Sequence, residues 1–247
     1  MRVAIAMSGE MRGCPDCLKL VEPQLIEPFR RLGAKVDLLI CTRADAWWRP
    51  AAELPFRMLH VETNTLIDPS PIVSYVNPTS AGARTGEDRR AFLYQSYLQY
   101  YRSLATVGQM VARAEQQDGA PYNWVMRARP DCKLREPLDP SKLERGKINV
   151  PANDWWPHSD ANGKPLVTLT DKFAIGPSDL MAVYFARMSY LHEFCLSIAL
   201  HAEALVRWQL DRAGVPWCSN SYIHVLRDDR ADVTPYDCCV RPDRSER

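Results

Sequence analysis

No charge of one sign dominates this chain. Its 31 Lys and Arg stand against 30 Asp and Glu, a formal net charge of +1 over 247 residues. No global field therefore draws it to nucleic acid or to an anionic membrane, and any basic site must be local. Long apolar runs are missing too. The opening Met-Arg-Val-Ala-Ile-Ala-Met-Ser reaches Ser8 and Glu10 too soon for the apolar region of a secretory signal, and far too soon for a membrane span. The expectation is a cytoplasmic protein. Its eight cysteines then read as thiols rather than as a disulfide framework, with Cys41 and Cys132 as ordinary core residues. Neither a repeat nor a clear linker is visible, so one domain spanning 1–247 is expected, with ample interior for a 46% hydrophobic composition.

What is present alternates strand with helix. Arg2–Ser8 reads as a first strand, and Leu18, Val21, Leu25, Phe29 and Leu32 then recur at helical spacing, interrupted by Pro23 and Pro28 so that the helix is kinked or split. Val36–Thr42 (VDLLICT) is a continuous apolar run, as a parallel strand covered on both faces requires. Residues 44–86 read as irregular, with a strand near 56–61. From Asp88 to about Glu115 the chain holds its strongest helical period, stopped by Gly119-Ala120-Pro121. Short strands follow at 147–151 and 171–176, and Pro177 opens helical segments that run to Arg212. The fold class expected is α/β, a mainly parallel central sheet with helices on both faces.

The most informative stretch is Tyr122-Asn123-Trp124-Val125-Met126-Arg127-Ala128-Arg129-Pro130-Asp131-Cys132. An apolar run that breaks into charge at its far end is what an open α/β sheet places at its ligand crevice. Arg127 and Arg129, two apart on a strand, project to one side and could fork onto phosphate oxygens, while Asp131 could hold a divalent metal. The same three residues could also form a structural ion-pair cluster. The turn Ser8-Gly9-Glu10-Met11-Arg12-Gly13 permits close backbone approach and offers Arg12 to a phosphate or a base edge, but lacks the full glycine pattern of dinucleotide or P-loop proteins. Asp171, leading a strand after a loop with Trp155, Trp156 and His158, could be a base or an acceptor-binding carboxylate, or could cap a turn. Glu203 reads as solvated, and His224 as a half-buried histidine.

Two patterns support rival readings. Cys14-Pro15-Asp16-Cys17 stands where thioredoxin-like proteins keep a redox pair at a helix start, although the chain is too long for that fold and Asp16 disfavours thiolate. Pairing with Cys238-Cys239 for zinc meets the difficulty that adjacent cysteines rarely satisfy tetrahedral geometry. Trp47, Trp48, Trp155 and Trp156 could instead be stacking platforms of a non-catalytic carbohydrate-binding protein.

Taken in order, "AMSGEMRG", "VDLLICT", "YQSYLQYYRSL", "YNWVMRARPDCKL", "INVP", "DKFAIGPSDLMAVY" and "HAEALVRWQLDRAGV" resemble small bacterial and viral glycosyltransferases with the A-type fold, of the polysaccharide and lipopolysaccharide type. The resemblance implies a nucleotide diphosphate sugar donor above the strand ends and a glycan or other hydroxyl acceptor, with a nucleotide-binding half at 1–135, an acceptor-side half at 136–226 and a peripheral tail at 227–247. Ser8, Gly9 and Arg12 would line the nucleotide, Arg127, Arg129 and Asp131 would face its diphosphate and a Mn²⁺ or Mg²⁺ ion, and Asp171 would lie near the transferred sugar. The family's Asp-x-Asp metal motif has Arg129 at its first position here. That cation could neutralise the leaving diphosphate directly, acting with Asp171 as catalytic residues, and His224 is the candidate for a third metal ligand.

Overall fold

A computed structural model of the chain describes residues 1–9, 15–44, 51–63, 67, 87–152, 158–159, 165–166, 168–195 and 201–227. Strand β1 (Arg2–Ser8) lies at the centre of a seven-stranded sheet. Its alternate side chains serve two cores: Val3, Ile5 and Met7 face one, Ala4 and Ala6 the other. A strand covered on both sides has no polar face to expose, which is why the run is apolar throughout.

The segment after β1 folds as α1 (Pro15–Lys19), a π-helical turn (Glu22–Ile26) and α2 (Glu27–Arg30). Pro23 and Pro28 each fall at the start of a new segment, where a missing N–H costs no hydrogen bond. The expected split is thus observed. Strand β2 (Lys35–Arg43) returns parallel to β1, and β3 (Met58–Glu62) continues parallel beyond it to the sheet edge.

The long helix α3 spans Glu87–Asp118 and lays Leu104, Val107, Val111 and Ala114 on the Ala4/Ala6 face of the sheet. It ends where the amides of Gly119 (φ 65°) and Ala120 bond back to Gln116 O (3.3 Å) and Glu115 O (3.2 Å). This closure needs a left-handed residue, which glycine supplies without strain. The chain then enters β4 (Trp124–Ala128), parallel to β1 on the side away from β2.

The rest of the sheet is β6 (Ile148–Pro151), β9 (Phe173–Gly176) and β10 (Trp217–Asn220). Among these, β9 runs antiparallel to β4 and β6, and β10 runs parallel to β6. Numbered by chain order within this sheet, the spatial order is 3-2-1-4-6-5-7, with only the sixth strand reversed. Two short ribbons lie outside it: β5 (Cys132–Leu134) with β11 (Val225–Arg227), and β7 (His158–Ser159) with β8 (Pro165–Leu166). Helices α4 (Ser178–Phe185), α5 (Arg187–Cys195) and α6 (Ala202–Arg212) stack with α3 on one face, while α1 and α2 cover the other. The chain is therefore a mixed α/β protein with a mostly parallel sheet and helices on both faces. No helix among the described residues is long and apolar enough to cross a membrane.

Several details depart from the sequence expectations. The strand expected near 56–61 lies at Met58–Glu62, and the charged stretch divides into β4 and β5 because Pro130 and Asp131 turn the chain between them. Strands β10 and β11 were not expected. The segment 228–247 and the tryptophans Trp47, Trp48, Trp155 and Trp156 lie outside the described residues.

Candidate functional site: a switch point lined with arginine

After β1 the chain builds the sheet towards β2 and β3, then crosses back through α3 to place β4 on the other side of β1. The carboxyl ends of β1 and β4 are thus the topological switch point, where an open α/β sheet leaves its crevice. Because β9 runs the other way, the residues leading into it, Asp171 and Lys172, come alongside the end of β4, and the Arg129 amide bonds Lys172 O at 3.1 Å.

At the tip of β1, Ser8 is fully buried and its Oγ has no hydrogen-bond partner. Gly9 follows with φ 127°, a conformation reserved in practice for glycine, and a Cβ there would stand 3.6 Å from Pro130. Its amide bonds Cys41 O and its carbonyl accepts from Thr42 Oγ1, so the turn is pinned to β2. Arg12 and Cys14 lie outside the described residues, and Cys17 is buried in α1.

The charged group expected at β4 is assembled, but its parts take different positions. Arg129 forks onto Asp131, Nε to Oδ1 at 2.8 Å and Nη2 to Oδ2 at 2.6 Å, and its Nη1 stands 3.8 Å from Asp171 Oδ2. Burial opposes the charge on Arg129, yet Asp131 and Asp171 hold its pKa well above the usual guanidinium value. Arg127, by contrast, is 0% exposed, and none of its three side-chain nitrogens has a hydrogen-bond partner. It sits under Tyr100 of α3, its guanidinium carbon 5.8 Å from the ring centroid. Burial also works against the charge on Asp171, but Arg129, Arg187, Arg127 and Lys172 together keep its carboxyl below the ordinary range. A carboxylate so held is a weak proton acceptor.

Arg187 was not expected from sequence. It opens α5, is 0% exposed, and leaves Nε and Nη2 without partners, while Nη1 donates to Tyr100 Oη at 3.0 Å. That hydroxyl in turn donates to Asp171 O at 3.3 Å. The guanidinium also lies 4.1 Å from the Tyr184 ring centroid, a favourable cation–π distance. The signal available was a lone arginine in the apolar stretch from Leu180 to Leu191.

The fit of a divalent cation can be judged from the donors. Both Asp131 oxygens are taken by Arg129, which a cation would have to displace. His224 lies at the other end of the β5/β11 ribbon, where its carbonyl accepts from the Arg135 amide, while Asp131 precedes Cys132, paired with Arg227. Three strand residues separate the two levels, roughly 10 Å. Among the described residues no group of three or more His, Cys, Asp or Glu side chains is placed to hold a metal. Among the described residues, the expected ligands Asp131 and His224 do not come together in a set that fits the ion.

The geometry defines a mixed α/β protein with a cationic switch-point site. Residues 89–241 match the family described as a domain of unknown function, DUF7796, and with well over half of its length in that match the chain belongs to this family. The matched segment includes Tyr100, Arg127, Arg129, Asp131, Asp171 and Arg187, and leaves out Ser8 and Gly9. No curated protein matches the chain.

Proposed function

We propose that the protein is an A-type glycosyltransferase that moves a sugar from a nucleoside diphosphate donor to a hydroxyl of a glycan acceptor. The observation that carries this reading is positive charge gathered at the switch point: buried Arg127 and Arg187 and partly buried Arg129 stand with Asp131 and Asp171, and two of the three guanidiniums keep unpartnered nitrogens. A buried cation without partners is costly unless an anion joins it. The 3-2-1-4-6-5-7 sheet with one reversed strand supports an A-type arrangement.

In this reading the bond between the sugar's anomeric carbon and the diphosphate oxygen breaks as the bond to the acceptor oxygen forms. The diphosphate gains negative charge as it leaves, and the fixed guanidiniums stabilise it without reorganising. Asp171 was the expected base for an inverting reaction. Its depressed pKa suits it better to hold the arginines in place, and the acceptor's proton passes to the departing diphosphate oxygen. No step requires a metal.

A screen of nucleotide sugars for slow release of nucleoside diphosphate tests the reading, since a transferase without its acceptor leaks donor to water. One donor class turned over above the rest is expected, without dependence on Mn²⁺. A full panel giving no release and no binding at millimolar concentration would refute the proposal.

A further inference from the structure

We infer that Arg127 and Arg187, on either side of Tyr100, form a buried receptor for a phosphoryl group, and that this pair, not the Arg129–Asp131 fork, is where a diphosphate is gripped. The assignment of a donor's diphosphate to it rests on the nucleotide-sugar reading.

The argument is one of unused donors. A guanidinium carries five N–H groups in a planar fork suited to phosphate oxygens. Arg129 spends its fork on Asp131. Arg127 spends none, and Arg187 spends one N–H, on Tyr100. Both guanidiniums are fully buried, where leaving such groups unsatisfied is most costly. Uncharged donors stand beside them in the same state: Tyr184 Oη, next to Arg187, and Ser8 Oγ have no partner. Ser8 lies two residues beyond Ala6, which pairs with Arg127, so the serine side chain and the guanidinium share one face of the sheet. Four side chains thus have unmet hydrogen-bonding capacity, and Asp171, which bears on both guanidiniums, already shares its charge with Arg129. A tetrahedral dianion supplies both the charge and the acceptors.

Tyr100 gives the route in. Its ring covers Arg127, its hydroxyl holds Arg187, and it is only half-buried. Entry requires the Tyr100 side chain to move aside, the phosphoryl oxygen replacing the tyrosine hydroxyl as partner of Arg187 Nη1.

The test is thermal unfolding of the whole chain with inorganic pyrophosphate, against chloride at equal ionic strength, for the wild type and for Arg187→Met, Arg187→Lys and Arg129→Met. Pyrophosphate is expected to raise the wild-type Tm. Arg187→Met should unfold at the same or a higher temperature without ligand, because it replaces an under-partnered buried charge by hydrocarbon. It should also lose pyrophosphate affinity by about tenfold or more, as expected for a lost charge-assisted fork. Arg187→Lys should retain part of the affinity, and Arg129→Met, which starts from a lower Tm because it strands the buried Asp131, should lose less of it than Arg187→Met.

An Arg187→Met protein that is less stable or unfolded, or one that binds pyrophosphate as the wild type does, overturns the receptor. So does a loss confined to Arg129→Met, or the absence of any pyrophosphate effect in the wild type. The two proposals separate cleanly. Pyrophosphate binding without turnover of any nucleotide sugar leaves the receptor and removes the transferase, while turnover by a protein indifferent to Arg187→Met does the reverse.

Discussion

Replacing Asp131 by Asn separates a lock from a ligand. The Asp131 side chain is 1% exposed and that of Arg129 19%, and the two are joined by hydrogen bonds of 2.8 and 2.6 Å. Removing the carboxylate charge leaves a largely buried guanidinium whose remaining counter-charge is Asp171, 3.8 Å away. Breaking one side of a buried pair costs about 3–5 kcal/mol. The residual exposure of Arg129 and the presence of Asp171 put this case at the lower end, about 3 kcal/mol, a large share of a typical domain's stability. The double variant Arg129→Met with Asp131→Leu removes both charges and should recover to within about 1 kcal/mol of the wild type, about 2 kcal/mol more stable than Asp131→Asn alone. Urea unfolding followed by circular dichroism measures the wild type and both variants. A single variant within about 0.5 kcal/mol of the wild type, the usual range for an unimportant surface change, would refute the lock. So would a double variant no better than the single. A metal-ligand role predicts another pattern, in which Asp131→Asn loses a Mn²⁺-dependent property while keeping its stability.

Further expectations concern the same architecture. Because Asp171 has its pKa lowered in the folded state, with burial opposed by Arg129, Arg187 and Arg127, its contribution is complete above the ordinary carboxylate pKa of about 4 and is lost as pH falls through the lower folded value. The urea midpoint should therefore fall on acidification below about pH 4, and Asp171→Asn should flatten that fall; an equally steep profile in the variant contradicts the assignment. Gly108 lies where α3 meets α4, and a Cβ there would come 2.6 Å from Phe185 Cβ. Gly108→Ala should cost about 1–3 kcal/mol through overpacking, despite alanine's better helix propensity, and a stabilised variant would show that the helices are not so close.

The parts of this molecule legible in its sequence are those whose signal is local. Strand β1 was read with its observed bounds, and VDLLICT fell within one residue of β2 at each end, because strands covered on both faces are apolar without interruption. Helix α3 declared itself by period over many turns. The pairing of Arg129 with Asp131 follows the ion-pair reading of charges at a strand end, whereas the approach of Asp171 to Arg129 was not read from the sequence. What the sequence withheld depends on tertiary return. Tyr100 falls beside the Tyr97–Tyr101 stripe and reads as a neighbour of the core, and Arg187 becomes part of the site only because α5 packs back onto α3. The division of labour between Arg127 and Arg129 was equally hidden, since the turn at Pro130-Asp131 gives one of them a carboxylate and leaves the other none. Strands β10 and β11 are short, and β10 mixes polar with apolar residues at the sheet edge, so no run marks them.

The account's central claim is that buried guanidiniums at the switch point bind a nucleoside's phosphates. Isothermal titration of the wild type and of Arg127→Met with each nucleoside diphosphate and its parent nucleoside, with and without Mn²⁺, tests it most directly. The prediction is that one nucleoside diphosphate binds measurably without Mn²⁺, that its nucleoside binds far more weakly, and that Arg127→Met removes the difference between them. Equal affinity for diphosphate and nucleoside in the wild type, or an undiminished difference in the variant, would contradict it.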